Sequence, residues 1–241
     1  MRQGLPASSR QVIAKVFAHL DYKALESVYC YEGGKEFWRK KREPCRRLGT
    51  NVAEVLIKKL PPCGRSLYVG AGVTELPSLL AEAIDPQRHV EPYNLRRLEV
   101  TVLNRACRGL PFRFYACDAS LARGRFDHIW MVSVLNDPER FPHLAPLSYG
   151  RADPVTFNPV RFQKEQRIVQ TIVNRCLAKL SVPGLVTTST EEVVWIADWC
   201  HRHTIPYYVE RKQYATALVG DPICFVRIGM RKLKSRKVVT S

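Results

Sequence analysis

The sequence predicts an α/β protein: a doubly wound, mostly parallel sheet of seven strands closing in an antiparallel C-terminal hairpin, with a small helical N-terminal extension. Three observations carry this reading. From about residue 56 to residue 230, short apolar runs alternate with helix-length periodic segments, the pattern of strand–helix–strand units. The run 67–69 meets two glycines, Gly70 and Gly72, and a helical face of Leu76, Leu79, Leu80 and Ala83 begins at once. Small or acidic polar residues then stand where successive apolar runs end, and open α/β sheets bind ligands at those strand ends.

The elements follow in order. Residues 1–55 read as a helical extension. A first helix carries Val12, Ile13, Val16, Phe17 and Leu20, with Ser8 or Ser9 as its cap. A second covers 22–28, and Gly33-Gly34 marks a turn. A third, 35–42, stops before Pro44, and a fourth, 47–60, leads into the core until Pro61-Pro62 breaks it. The domain proper spans 56–230. Its strands are expected at 67–69, 88–91 (stopped by Pro92), 112–117, 126–132, 184–188, 207–209 and 223–228. Helices are expected at 94–107, 161–180 and 191–201. Between 136 and 159 five prolines erase any period, so a long loop follows the fourth strand. Residues 231–241 form a basic tail.

The glycine turn disfavours one ligand class and favours another. Glycines at 70 and 72 let a nucleotide approach the backbone, because no Cβ intervenes. A dinucleotide turn needs a third glycine where this chain has Glu75, and a carboxylate there opposes a pyrophosphate. A nucleoside ligand without phosphates fits better. Glu91 stands 19 residues after Gly72, at the distance expected of an acid that binds ribose hydroxyls.

On these residues the chain, from about Leu56 to Met230, resembles the class I, Rossmann-like S-adenosylmethionine-dependent methyltransferases. The stretch from Tyr68 to Gly72 is similar to their first motif, although a carboxylate is more usual at the Tyr68 position and a glycine at the Thr74 position. The resemblance implies S-adenosyl-L-methionine as cofactor. It places Tyr68, Gly70, Ala71, Gly72 and Ser133 along it, Glu91 on the ribose hydroxyls and Asp118 toward the adenine amino group. Asn136, Asp137 and Tyr149 become the candidates for the catalytic end. In-line methyl transfer asks the protein to orient its reactants rather than to supply a metal or a covalent nucleophile, and neither motif is present. Two other readings stay open: a Rossmann-like oxidoreductase or nucleotide-binding protein, and a methyltransferase fold kept as a catalytically inactive binding subunit.

Composition bounds the partners. No apolar run approaches the ~20 residues of a membrane helix, and Lys15 interrupts the only apolar stretch near the N-terminus, so neither membrane span nor signal peptide is expected. Eight scattered cysteines without a C-x-x-C pair fit a reducing cytoplasm. The net charge of +16 is concentrated in 35–47, where Phe37 and Trp38 are interleaved, and in the tail 231–237. Such clusters suit an RNA backbone or a solvated helix face. The methyl acceptor, small metabolite or RNA, is not written in the sequence.

Overall fold

The computed structural model describes residues 4–151, 153–218 and 220–230. Six strands form one mixed sheet: β1 (Arg65–Val69), β2 (His89–Tyr93), β3 (Phe126–Met131), β4 (Leu180–Ser189), β5 (Tyr207–Val209) and β6 (Ile223–Ile228). Their order is β2-β1-β3-β4-β6-β5. The first four pair in parallel, and β6 pairs antiparallel with both β4 and β5. Helices α1 (Ala7–Ala18), α2 (Tyr22–Val28), α3 (Gly34–Leu56), α4 (Leu76–Ile84) and α5 (Arg97–Ala106) share one buried cluster with Tyr68 and Trp130. A one-turn helix, α6 (Ala145–Ser148), precedes α7 (Pro159–Leu177). α7 and α8 (Val193–Arg202) bury Val173 and Ile196 with Leu67 and Ile129 in a second cluster. Residues 1–55, expected as an extension, therefore include helices that share a core with the sheet. The basic tail lies outside the described residues.

The sheet has six strands rather than seven. The segment expected as a strand at 112–117 makes only an isolated parallel bridge, Tyr93 to Tyr115. Tyr115 donates its N–H to the Pro92 carbonyl at 2.9 Å, and Asn94 donates back to Tyr115 at 3.0 Å. The ladder does not extend toward the start of the segment because Pro92 has no N–H to offer the Arg113 carbonyl. Asn104 accepts the Phe114 N–H at 2.7 Å and donates its amide to the Phe114 carbonyl at 3.0 Å. One asparagine thereby satisfies the backbone groups of Phe114 that face away from β2.

Two further differences concern helices. α3 runs unbroken through Pro44, where two helices were expected. An interior proline costs about 3 kcal/mol. Its helix buries Phe37, Trp38, Cys45, Val52, Ala53 and Leu56 along one face, and each large apolar side chain contributes about 1.5–3 kcal/mol. Packing wins. α1 takes no side-chain cap from Ser8 or Ser9; both hydroxyls donate instead to the carboxylate of Asp85, which ties α1 to the end of α4.

A polar network lies beneath α4. Glu82 accepts hydrogen bonds from Tyr68 (2.6 Å), Ser66 and Arg88 (3.0 Å), and Arg88 reaches on to Asp127 at 2.5 Å. His128 Nδ1 lies 3.1 Å from Glu82, and its Nε2 lies 2.9 Å from Thr187. Burial pushes the Glu82 carboxyl up, but His128, Arg88 and Ser66 outweigh it and hold it below the usual range. Every member has a partner, as a buried polar network requires.

Candidate functional site

The sheet topology decides where a ligand can sit. The chain passes from β1 outward to β2, then returns to β3 on the other side of β1. The connections leaving β1 and β3 therefore diverge to opposite faces, and a crevice opens at their carboxyl ends. A cleft of about 860 Å³ lies there. Its floor carries Gly70, Gly72, Trp130 and Ser133; its walls carry Asn94, Arg96, Asn136 and Tyr149; Tyr29, Gly49 and Val52 of the N-terminal helices border it.

The turn after β1 is built for close approach by the protein itself. Gly70 has φ +72°, and a Cβ there would stand 2.7 Å from Val134. A Cβ on Gly72 would stand 2.7 Å from the Glu99 carboxylate and 3.6 Å from the Tyr29 hydroxyl. A valine at position 72 would thus strike Glu99, not an empty ligand space. Glu75 folds back and accepts the Gly72 N–H at 2.8 Å and the Thr74 hydroxyl at 2.7 Å. The carboxylate occupies the amide-lined ground that a pyrophosphate uses in dinucleotide folds.

Two buried acids border this end of the cleft. Burial pushes the Glu75 carboxyl up to about 7. Burial also raises Glu99, although Tyr29 donates to it at 2.8 Å and Asn94 at 3.1 Å. Asn94 stands directly after β2, donates to the Ala71 carbonyl at 2.9 Å and accepts from the Arg96 N–H at 2.8 Å. It ties the turn after β2 to the turn after β1. Arg96 lies over the Tyr29 ring, 5.3 Å from its centroid, and pairs with Glu139 at 2.7 Å. Burial, and then Glu99, raises the Tyr29 hydroxyl well above its usual range.

The loop after β3 hangs on one side chain. Glu192, fully buried, accepts the N–H groups of Ser133 (2.9 Å), Val134 (2.6 Å) and Leu135 (2.5 Å), and the Thr188 hydroxyl at 3.3 Å. Ser133 takes φ +55°, a left-handed conformation unusual for a serine. Trp130, Ser133 and Asn136 line the cleft, and Trp130 Nε1, Ser133 Oγ and both amide atoms of Asn136 are buried without a partner among the described residues.

The structure brings Gly70, Gly72, Ser133, Asn136, Asp137 and Tyr149 together around the cleft. Tyr68, Ala71, Glu91 and Asp118 do not line it. Tyr68 is fully buried, bonded to Glu82 and stacked on Trp130 at 5.3 Å. Ala71 lies under the turn and donates to Tyr93 at 2.8 Å. Glu91 sits mid-strand in β2, held by Arg65 at 2.5 Å and His89 at 3.1 Å. Asp118 caps a single 3₁₀ turn by accepting from Ser120 and borders a separate groove. Of the aromatic residues of the extension, Tyr29 borders the cleft, Trp38 is buried and Tyr31 is exposed. Glu192 escaped the sequence reading, yet Ser189 and Glu192, three apart after a strand, carry the spacing of a capping box. Asn94 and Glu99 had no comparable signal.

No family model and no curated protein sequence matches the chain. Solved structures do. The chain is similar to the magnesium protoporphyrin IX methyltransferase of Synechocystis PCC 6803, solved with bound S-adenosylmethionine, over 87% of this chain and 98% of that one, with TM-score 0.51 and 13% identity. It is also similar to Trm5b from Pyrococcus abyssi (TM-score 0.49, 9% identity, 76% of this chain), of which it spans about half, 49%. A third is TYW2 of P. horikoshii in complex with MeSAdo, at TM-score 0.47 and 9% identity over 75% of this chain and 62% of that one. The chain has the fold of the class I S-adenosylmethionine-dependent methyltransferases.

Proposed function

We propose that this chain is an S-adenosylmethionine-dependent methyltransferase that binds its cofactor in the cleft at the carboxyl ends of β1, β2 and β3. The observation that carries the reading is the cleft's lining by Trp130, Ser133 and Asn136, each of which holds a buried polar side-chain atom without a partner among the described residues. Buried polar groups left unpaired cost about 1–3 kcal/mol each, and a bound ligand relieves that cost. The residues suit this cofactor. Glu75 and Glu99 offer carboxyl oxygens as acceptors beside a ligand that carries sulfonium and ammonium groups, and Glu75 leaves no amide cradle for a pyrophosphate. The cofactor supplies an activated methyl group when bound.

The chain's own residues orient and enclose. The Gly70–Gly72 turn forms the floor, and Asn94, in place of Glu91, is the polar side chain at the end of β2. Asn136, Asp137 and Tyr149 border the end where an acceptor enters. Burial pushes the Tyr149 hydroxyl up to about 12, so it acts as a hydrogen-bond donor and not as a base at neutral pH. Calorimetry of the whole chain tests the reading. Micromolar binding of S-adenosylhomocysteine is expected, with at least a tenfold loss in Asn136→Ala. Stabilisation by NAD with no response to S-adenosylhomocysteine overturns it in favour of an oxidoreductase.

A further inference from the structure

Three of the seven basic residues that the sequence singles out on α3 are spent in local ion pairs, while Lys35, Arg42 and Arg47 make none among the described residues. Arg39 and Lys40 pair with Glu36 at 2.6 and 3.2 Å, and Arg46 pairs with Glu43 at 2.7 Å. Lys41 donates to the Ala217 carbonyl at 2.8 Å. A different basic surface is not spent. A groove of about 530 Å³ runs along α7, bordered by Arg140, Lys164, Arg167 and Arg175. All four are exposed, and none makes an ion pair among the described residues. One acid, Asp118, borders the groove.

The groove leads to the cleft. Arg140 borders both cavities. Its place is set from two sides: its N–H donates to the Asp137 carbonyl at 3.2 Å, and the loop beyond is tied to α7 by Glu165, which accepts the His143 and Leu144 N–H groups at 3.0 and 2.8 Å. That bond turns the Glu165 carboxylate onto the loop amides. Lys164, Arg167, Thr171 and Arg175 stand at helical i, i+3 and i+4 spacings along one face. From residue 164 to residue 175 the stripe runs about 16 Å. A single phosphate needs convergent donors; a line of cations this long suits a chain of phosphates.

We propose that this groove is the track for a single-stranded nucleic-acid acceptor, whose backbone lies along α7 and whose reacting nucleotide enters the cleft past Arg140. The proposal rests on the methyltransferase reading for what happens in the cleft and adds the substrate class. It also places the phosphate contacts on α7, not on α3.

The test uses the full chain and a fluorescein-labelled 12-nucleotide oligouridylate, read by anisotropy from 50 to 300 mM salt. Each phosphate contact adds about 0.7 to the slope of log affinity against log salt on single strands. The variant Lys164→Gln/Arg167→Gln/Arg175→Gln is expected to lose affinity roughly tenfold or more at 150 mM salt and to lower the slope by about 2. The α3 variant Arg39→Gln/Lys40→Gln/Arg46→Gln, which removes the cations already paired, is expected to bind as the wild type. Circular dichroism establishes that both variants are folded. Equal binding by wild type and α7 variant overturns the proposal, as does a larger loss in the α3 variant. Retention on phosphatidylserine vesicles without affinity for the oligonucleotide also overturns it. Wild-type calorimetry with S-adenosylhomocysteine separates the two readings. Cofactor binding without oligonucleotide binding removes the track alone; salt-sensitive oligonucleotide binding lost only in the α7 variant, without cofactor binding, removes the methyltransferase reading and leaves the track.

Discussion

Glu192→Ala is the perturbation that reaches the cleft through the loop after β3. Its carboxylate accepts three successive N–H groups, those of Ser133, Val134 and Leu135, and holds Ser133 in its left-handed conformation. Deleting it leaves three donors without acceptors, at about 1–3 kcal/mol each when buried. Leu135 is fully buried and takes the whole penalty, while Ser133 and Val134 are half-buried beside the cleft, where water can replace part of the loss. The deletion also relieves the burial that raises the Glu192 carboxyl. The balance is a loss of about 2–4 kcal/mol. Glu192→Gln keeps one acceptor oxygen for Val134 and Leu135 and its amide can face the Thr188 hydroxyl, but that amide meets the half-buried Ser133 N–H donor to donor, so it costs about 1–2 kcal/mol, less than the alanine variant. Urea titration at pH 7 reads both values. Calorimetry with S-adenosylhomocysteine reads whether affinity falls more in the alanine variant than in the glutamine one. An alanine variant within 0.5 kcal/mol of wild type (a margin below one unmade hydrogen bond) with unchanged cofactor affinity refutes the role assigned to Glu192.

Two other outcomes are expected. Glu75, raised from about 4.5 to about 7, retains in the folded protein a proton that the unfolded chain releases. Its contribution is fully present below about pH 4.5 and is lost as pH rises through 7, a fall on the order of 3 kcal/mol that Glu75→Gln abolishes in denaturant titrations from pH 4.5 to 8. Gly49→Ala gains about 1 kcal/mol of helix propensity, but its Cβ would stand 2.6 Å from the Pro77 ring and 3.1 Å from the Thr74 carbonyl. Overpacking costs about 1–3 kcal/mol against so rigid a neighbour, so the thermal midpoint falls; a rise would show that α3 and α4 can separate freely.

The sheet was legible where one strand's residues decide its fate. β1, β3 and β6 are apolar runs bounded by turn residues, and α7 shows helical periodicity from end to end. Errors arose where a distant residue intervenes. The strand expected at 112–117 shrinks to one bridge beside Pro92, which has no N–H for the Arg113 carbonyl, and Asn104, on a helix, takes the Phe114 groups on the other edge. Pro92 reads as a strand stop, yet β2 continues to Tyr93 because that position needs no N–H. The Pro92 carbonyl, the group it does have, accepts from Tyr115. Two more strand residues move the carboxyl end from Glu91 to Asn94. Gly70 and Gly72 do lie in the turn after β1 and line the cleft, but the close approach there is made by the protein itself. Glycines at 70 and 72 make room for Val134 and Glu99, which come from other elements.

Charge shows the same division between local and distant information. The pairing of α3 can be read from the chain alone: Glu36 precedes Arg39 by three and Lys40 by four, and Glu43 precedes Arg46 by three, the spacings that meet on a helix. Counting bases while passing over those acids makes α3 look like a phosphate surface. The α7 stripe looks less basic, because Glu165 lies within it. Only the fold shows that Glu165 is turned onto the loop amides and that Arg140, more than twenty residues away in sequence, joins Lys164 and Arg167. The charge that matters for a polyanion is the charge left after local pairing. On α7, Lys164, Arg167 and Arg175 are left without ion pairs, and Arg140 carries that positive line to the side of the cleft that Asn136 and Asp137 border.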